Sequence, residues 1–394
     1  MNYTIEKVTT LIGARRYGNT DANISFILTD SRSLCFPEET LFFAIRTERN
    51  DGHNYIPELY GRGVRNFVVE AIPENWATLY PNSNFLKVVG TLEALQRLAE
   101  RHRDEFLIPI IGITGSNGKT MVKEWLYQLL SPEMIVTRSP RSYNSQIGVP
   151  LSVWLLNENT QIGVFEAGIS KPGEMLALRD IIQPTIGVFT SLGTAHQENF
   201  PSLEAKCLEK LKLFHDTQAI VYSEDDQVLN DCISAKNYKG ESLNWSAKDV
   251  HAAFFIKSIE KKDIETTVSY VWKGKVEGQY KLPFIDDASV ENSITCAVVS
   301  LHLGIEPAHL AERMAKLEPV AMRLEVKEGQ HGCTLINDSY NSDYNSLDIA
   351  LDFMNRRPDH KGRKRTLILS DILQSGESGK ELYNKVAFLC EKRG

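Results

Sequence analysis

With 394 residues, the chain is long enough for two or three domains, each burying its own core. Its 42% hydrophobic and 24% charged residues are ordinary for a globular protein, and a net charge of −7 argues against a nucleic-acid partner, which would favour a basic surface. The cysteines at 35, 207, 232, 296, 333 and 390 form no CxxC pair, the first residues lack the apolar stretch of a signal peptide, and no window approaches a spanning helix, so a cytoplasmic protein with reduced thiols is expected.

Taken in chain order, residues 1–84 hold short β-rich runs at Ile24–Leu28, Thr40–Ile45 and Asn66–Val69. Turn formers at Asn50-Asp-Gly52 and Gly61-Arg-Gly63 separate them, which predicts a small α/β domain with Pro81–Asn84 as its linker. From residue 85 the pattern becomes strand–helix alternation, predicting a central domain over 85–318 built on a largely parallel sheet. Apolar runs at 108–114, 162–165 and 185–190 read as its buried strands, residues 251–284 as a β-meander, and Val290–Gly304 as a helix. Beyond Glu318-Pro-Val320, residues 319–394 predict one βαβα segment. It has strands at Cys333–Asn337 and Arg365–Leu369, a helix from Ser346 and a last helix to Gly394. Two strands fall short of the five or six usual in a doubly wound sheet, so the chain is expected to stop inside this third domain.

The run Pro109–Thr114 leads straight into Gly115-Ser116-Asn117-Gly118-Lys119-Thr120 and then into a helix with Val122, Leu126, Leu129 and Leu130 on one face. Glycines let backbone N–H groups curl around phosphate oxygens, and a helix N-terminus adds favourable partial charge. Lys119 is placed to reach the β and γ phosphates of ATP, and the Thr120 hydroxyl to bind Mg²⁺. The strict phosphate-loop pattern fails at one position, where Ile113 stands in place of glycine.

In open α/β sheets ligands bind at the carboxyl ends of the strands. The strand Ile162–Phe165 delivers Glu166 there, and Thr185–Leu192 delivers His196. Alone, each could be a loop residue, but their placement after successive strands favours metal ligation. Thr120 and Glu166 offer hard oxygens suited to Mg²⁺, while His196 suits a second divalent ion less typically. A helix predicted to start at Ser202 puts Leu203, Cys207, Lys210 and Phe214 on one stripe, with Lys206 at its margin. Lys210 therefore projects from the apolar face. Either its ammonium snorkels to water, or it is a desolvated amine with a lowered pKa that could capture CO₂ as a metal-binding carbamate.

Over essentially its whole length the chain resembles the Mur ligase family. Thr114–Thr120 looks like that family's ATP loop, Phe165-Glu-Ala-Gly168 its Mg²⁺ glutamate segment, and Gly193-Thr-Ala-His196 its metal-histidine segment. Lys210, fourteen residues after His196, falls where members carry a carbamoylated lysine. The resemblance implies a small N-terminal α/β domain, a central phosphate-loop ATPase domain and a Rossmann-like C-terminal domain, the last incomplete here. Two Mg²⁺ ions and an acyl-phosphate mechanism are implied too, with Lys119, His196 and Lys210 as catalytic residues.

Thr29-Asp-Ser31-Arg32 and Phe43-Ala-Ile-Arg46-Thr-Glu-Arg-Asn-Asp-Gly-His53 are similar to the segments that hold the UDP end of a UDP-muramoyl substrate. Tyr143-Asn144-Ser-Gln146-Ile-Gly-Val-Pro150 resembles the family's substrate-touching N-N-x-I-G-V-P stretch. Ile336-Asn-Asp-Ser-Tyr340-Asn341-Ser342 is similar to the D-D-S-Y-N-A-N-P stretch of members that add D-alanyl-D-alanine, whereas members adding earlier residues usually carry histidine where Asn341 stands. The implied substrates are UDP-N-acetylmuramoyl-tripeptide and D-alanyl-D-alanine, and the implied state is a monomer. On the adenine and ribose side only Asn292 matches the family's H-N-x-x-N pattern; Arg323 lacks its preceding glycine, and Asp338 follows Asn337 instead of a second aspartate. Open alternatives are another amide ligase of this fold, including a folate glutamate-tail enzyme, the ligase part of a fusion with an alanine racemase, or a nucleotide-binding module without chemistry.

Overall fold

The computed structural model describes residues 2–48, 50–193, 197–236, 238–262, 264–321, 324–339, 343–356, 364–372 and 378–393. Two compact units divide the chain: Met1–Ile108 with Ser142–Thr160 and Asp180–Ile182, and the remainder.

The first unit is built on a five-stranded sheet. Its strands run in the order Arg15–Tyr17, Asn84–Lys87, Asn66–Val69, Thr40–Phe43, Phe26–Leu28, all parallel except the first pair. Side chains alternate across a strand, so each strand feeds two cores. Leu41, Phe43, Val68 and Leu86 pack with Val8, Ile12, Leu95 and Leu98 of the helices Ile5–Ile12 and Thr91–Arg103. Phe42, Phe67, Val69 and Phe85 pack on the other face with Ile56, Leu59 and Val64. This arrangement corrects the expected boundary at residue 84. Phe85 and Leu86 each fill one of the two cores and Thr91–Arg103 covers the sheet, so the unit continues to Ile108 and Pro81–Asn84 is not a linker.

The second unit carries a nine-stranded sheet. Across it lie Val136–Arg138, Ile162–Glu166, Ile110–Thr114, Ile186–Phe189, Ala219–Ser223, Glu241–Ser246, Phe254–Lys262, Glu265–Trp272 and Val276–Leu282. The first seven are parallel, and the last three form the antiparallel meander expected over 251–284. Helices Lys119–Leu130 and Asp287–His302 cover one face, where Val122, Trp125, Leu126, Ile294 and Val298 join Ile111, Ile113, Val164 and Val188 in a continuous core. The phosphate-loop strand Ile110–Thr114 thus sits between Ile162–Glu166 and Ile186–Phe189, which aligns three strand ends side by side.

Toward the C-terminus, Glu325–Glu328 and Thr334–Asn337 pair as an antiparallel hairpin. Helices Tyr344–Arg356 and Gly379–Arg393 bury Leu347, Leu351, Leu382, Val386 and Leu389 together. The strand expected at Arg365–Leu369 does not form among the described residues: the segment joins no ladder there, and Ile368 is 89% exposed. A strand needs a neighbour for its backbone groups, and Thr334–Asn337 is paired with Glu325–Glu328 instead.

Candidate active site

At the end of Ile110–Thr114 the backbone turns through Gly115 at φ +142° and Gly118 at φ +85°, a region that side chains rarely adopt. A Cβ at Gly115 would lie 2.1 Å from Thr190 Oγ1, and one at Gly118 would lie 2.4 Å from Asn292 Oδ1. Both glycines are therefore required, and Asn292 of the helix Asp287–His302 stands directly against the loop. The segment after Ile186–Phe189 braces the loop from the other side. Ser116 N–H donates to the Ser191 carbonyl at 2.7 Å, Gly193 N–H to Ser116 Oγ at 2.8 Å, and Asn117 N–H to Ser191 Oγ at 3.3 Å.

Lys119 opens the helix and folds back, its Nζ donating to the carbonyls of Gly115 at 2.9 Å and Ser116 at 3.0 Å. Thr120 Oγ1 donates to Glu166 Oε2 at 3.2 Å. Glu166 is the last residue of Ile162–Glu166, paired in register with Ile113, and is fully buried. Two oxygen donors of the kind Mg²⁺ prefers thus meet where a nucleotide's phosphates would supply further oxygens, and the donor set fits that ion. Among the described residues no three Asp, Glu, His or Cys side chains converge, and His196 lies outside them.

Ser202 caps the next helix as expected, accepting from Ala205 N–H at 3.1 Å, and the helix Leu203–Lys210 follows. Glu209 accepts from Gly173 N–H at 2.8 Å, which ties this helix to the loop beyond Glu166. Lys210 is 4% exposed, and its Nζ donates to the Gly115 carbonyl at 3.0 Å. The snorkelling alternative is thereby excluded. Burial, then the neighbouring Lys119 and Lys206, push its pKa well below the ordinary lysine value.

Two functional candidates escaped the sequence reading. Lys206 is buried with its Nζ on the Gly193 carbonyl, and burial lowers its pKa to about 8, with Asp343 raising it and Lys119 lowering it further. Lys123, also buried, lies one turn after Lys119 with its Nζ 3.2 Å from Glu166 Oε1. Each sits at the margin of an apolar helical stripe, whereas Lys210 lies on one.

The loop Gly115–Thr120, Glu166, Lys210 and Asn292 are thus brought together in the second unit. Asp338 accepts from Leu324 N–H at 3.2 Å beside the C-terminal hairpin. Arg323, Tyr340 and Asn341 lie outside the described residues. The remaining substrate candidates belong to the first unit. Buried Ser31 opens a turn capped by Asp30, which also pairs with exposed Arg32 at 2.6 Å. Arg46 pairs with Asp51 at 2.9 Å, and Asp51 also holds His53 Nδ1 at 2.7 Å. Asn144 and Gln146 are half-buried, and Gln146 Oε1 accepts from Gln96 at 3.0 Å.

The family model described as Mur ligase middle domain matches residues 113–300, and the one described as Mur ligase family, catalytic domain, matches 23–103. The UDP-N-acetylmuramoyl-tripeptide–D-alanyl-D-alanine ligase of Borreliella burgdorferi is 30% identical over 339 residues, covering 84% of this chain and 71% of that protein. The chain belongs to the Mur ligase family. The Bacillus subtilis protein of the same name is 29% identical over 361 residues, 89% of this chain and 74% of its own. Among solved structures, MurF from Acinetobacter baumannii aligns with a TM-score of 0.87 at 22% identity, over 99% of this chain and 84% of that one. MurF from Thermotoga maritima, solved in complex with ADP, aligns with a TM-score of 0.77 at 23% identity, over 92% and 81%. These likenesses give the fold as the three-domain Mur ligase architecture. The middle-domain match contains the phosphate loop, Glu166, Lys210 and Asn292 of this ligase. No helix among its described residues is long and apolar enough to cross a membrane.

Proposed function

We propose that this chain joins D-alanyl-D-alanine to UDP-N-acetylmuramoyl-tripeptide at the expense of ATP, releasing ADP and phosphate. The observation that carries the reading is the convergence of Lys119, Lys210 and the Thr120–Glu166 pair on one phosphate loop, in a chain whose relatives bear that name.

A carboxylate is a poor electrophile and does not form an amide directly. Transfer of the ATP γ-phosphoryl group to the terminal carboxylate of the tripeptide gives an acyl phosphate. The D-alanyl-D-alanine amine then attacks the acyl carbon, phosphate leaves, and the amine loses a proton. Lys119, now on two loop carbonyls, would exchange them for the β and γ phosphate oxygens, and the loop N–H groups would hold the rest. Mg²⁺ bound at Thr120 and Glu166 would neutralise phosphate charge during transfer. The buried, neutral-leaning Lys210 amine is the form that combines with CO₂, losing a proton to become a carbamate; with His196 that carbamate would hold a second ion.

In this reading Asn292, Arg323 and Asp338 serve the adenosine end of ATP. Ser31, Arg32, Arg46, Asn144 and Gln146 serve the UDP-muramoyl substrate, and Tyr340 and Asn341 the region of the new bond. Residues 319–394 belong to the third domain, and the enzyme works as a cytoplasmic monomer. The test is phosphate release measured with ATP and each substrate alone, then both together. Release that needs both substrates is expected. Release indifferent to D-alanyl-D-alanine, or supported equally by a free amino acid, would sink the assignment.

A further inference from the structure

Glu166 is fully buried, and an ionised carboxylate out of water is costly unless a charge or strong hydrogen bonds answer it. Its two oxygens face different partners. Oε2 accepts from the Thr120 hydroxyl, on the side of the phosphate loop, while Oε1 lies 3.2 Å from the ammonium of Lys123. Lys123 is itself buried and lies 3.0 Å from Glu124 Oε1, and Glu124 Oε2 accepts from Arg138 Nε at 3.0 Å. Lys123 also donates to the carbonyl of Arg141, a residue held at φ +49°. Charges therefore alternate along one chain of contacts, Arg138, Glu124, Lys123, Glu166, and sum formally to zero. That chain links the second turn of the phosphate-loop helix to the ends of the strands Ile162–Glu166 and Val136–Arg138.

We propose that Lys123 is a positioning residue that stands in for the metal's charge at Glu166. It keeps the carboxylate aimed at Thr120 before the ion arrives, and it holds the backbone at Arg141 in place. The proposal rests on the reading of Glu166 as a Mg²⁺ ligand. Its consequence is specific. A cation fixed on the far oxygen offsets part of the attraction between Glu166 and an incoming ion, so the site stays formed without metal at some cost in metal affinity. A lysine that only packs and braces would leave metal affinity unchanged or, when removed, weaken it.

The test uses the full chain with ADP, reading Mn²⁺ binding by electron paramagnetic resonance and melting temperature in EDTA, with ADP in EDTA, and with Mg²⁺ and ADP. Lys123→Met is expected to melt lower in EDTA, to gain more from Mg²⁺ than the wild type does, and to bind Mn²⁺ more tightly, on the order of tenfold. Unchanged or weaker Mn²⁺ binding in Lys123→Met overturns the proposal. Should that variant not fold, Lys123→Met/Glu166→Gln, which replaces the pair by neutral groups of similar size, is compared with Glu166→Gln. The double variant is expected to melt close to Glu166→Gln in EDTA, and a large further loss on removing Lys123 overturns the coupling. If Glu166→Gln alone binds Mn²⁺ as tightly as wild type, the failure lies in the metal reading beneath the proposal, which falls with it.

Discussion

Lys119 and Lys210, carried by different helices, both donate to the carbonyl of Gly115, at 2.9 and 3.0 Å. Two ammonium groups sharing one acceptor repel each other, and Lys210 is the more deeply enclosed, so it is the one driven toward the neutral amine. Nucleotide binding would draw Lys119 toward phosphate, leaving the Gly115 carbonyl to Lys210.

Lys210→Ala is accordingly expected to lower ligase turnover by on the order of 100-fold, the scale for losing one group that stabilises developing charge. Short carboxylic acids such as acetate or propionate should restore part of the rate by occupying the place of the proposed carbamate. The check is turnover of the variant against added carboxylate, with wild type as control. A variant of undiminished activity removes Lys210 from the mechanism.

Gly118→Ala tests the loop itself. At φ +85° an alanine costs about 1–2 kcal/mol in backbone strain, and its Cβ would meet Asn292 Oδ1 at 2.4 Å. Either the loop or Asn292 must shift, so the Michaelis constant for ATP should rise more than that for the peptide substrate. Steady-state kinetics with each substrate varied in turn separate the two, and an equal effect on both would contradict the placement.

The phosphate loop was legible because its meaning is local: strand, glycine turn, Gly-Lys-Thr and amphipathic helix lie within one stretch of chain. Glu166 was legible through the strand-end rule, and Lys210 through its position on an apolar stripe. What escaped depended on distant partners. Asn84–Lys87 has the pattern of any strand, and only its pairing with Arg15–Tyr17 and Asn66–Val69 assigns it to the first unit. Residues 142–160 return to that unit through tertiary packing alone, as where Tyr3, His102 and Trp154 cluster. Arg365–Leu369 shows the reverse, a strand-like pattern that pairs with no strand among the described residues. Lys123 carries no local signal for its role, because its ammonium is buried against Glu166, which lies on a strand distant in the chain.

The buried His102 gives the first unit a specific acid sensitivity. Tyr3 OH donates to its Nδ1 at 2.9 Å, and its Nε2 donates to the Leu156 carbonyl at 3.0 Å, which fixes the neutral ring. Burial, chiefly, lowers its pKa from 6.5 to about 4. Between those values the unfolded chain takes up a proton that the folded one refuses, so stability falls as pH drops through 6.5 and the loss is complete near pH 4. The full effect is roughly 3 kcal/mol. Urea unfolding of wild type and His102→Gln across this range should show a steeper pH dependence in wild type, and parallel curves would refute it.

Lys206 offers the sharpest check on why Lys210 is poised as it is. Its ammonium, one helical turn away, is the third contributor to lowering the Lys210 pKa, after burial and Lys119. Lys206→Met removes one like charge, so the Lys210 ammonium becomes easier to keep and the neutral amine proposed to capture CO₂ becomes scarcer. The variant should need more bicarbonate for half-maximal activity, on the order of threefold to tenfold, the scale of one partly screened charge interaction. The added requirement should shrink as pH rises and Lys210 loses its proton regardless. A bicarbonate requirement equal to that of wild type at every pH would mean that Lys206 does not set the state of Lys210, and that burial and Lys119 suffice.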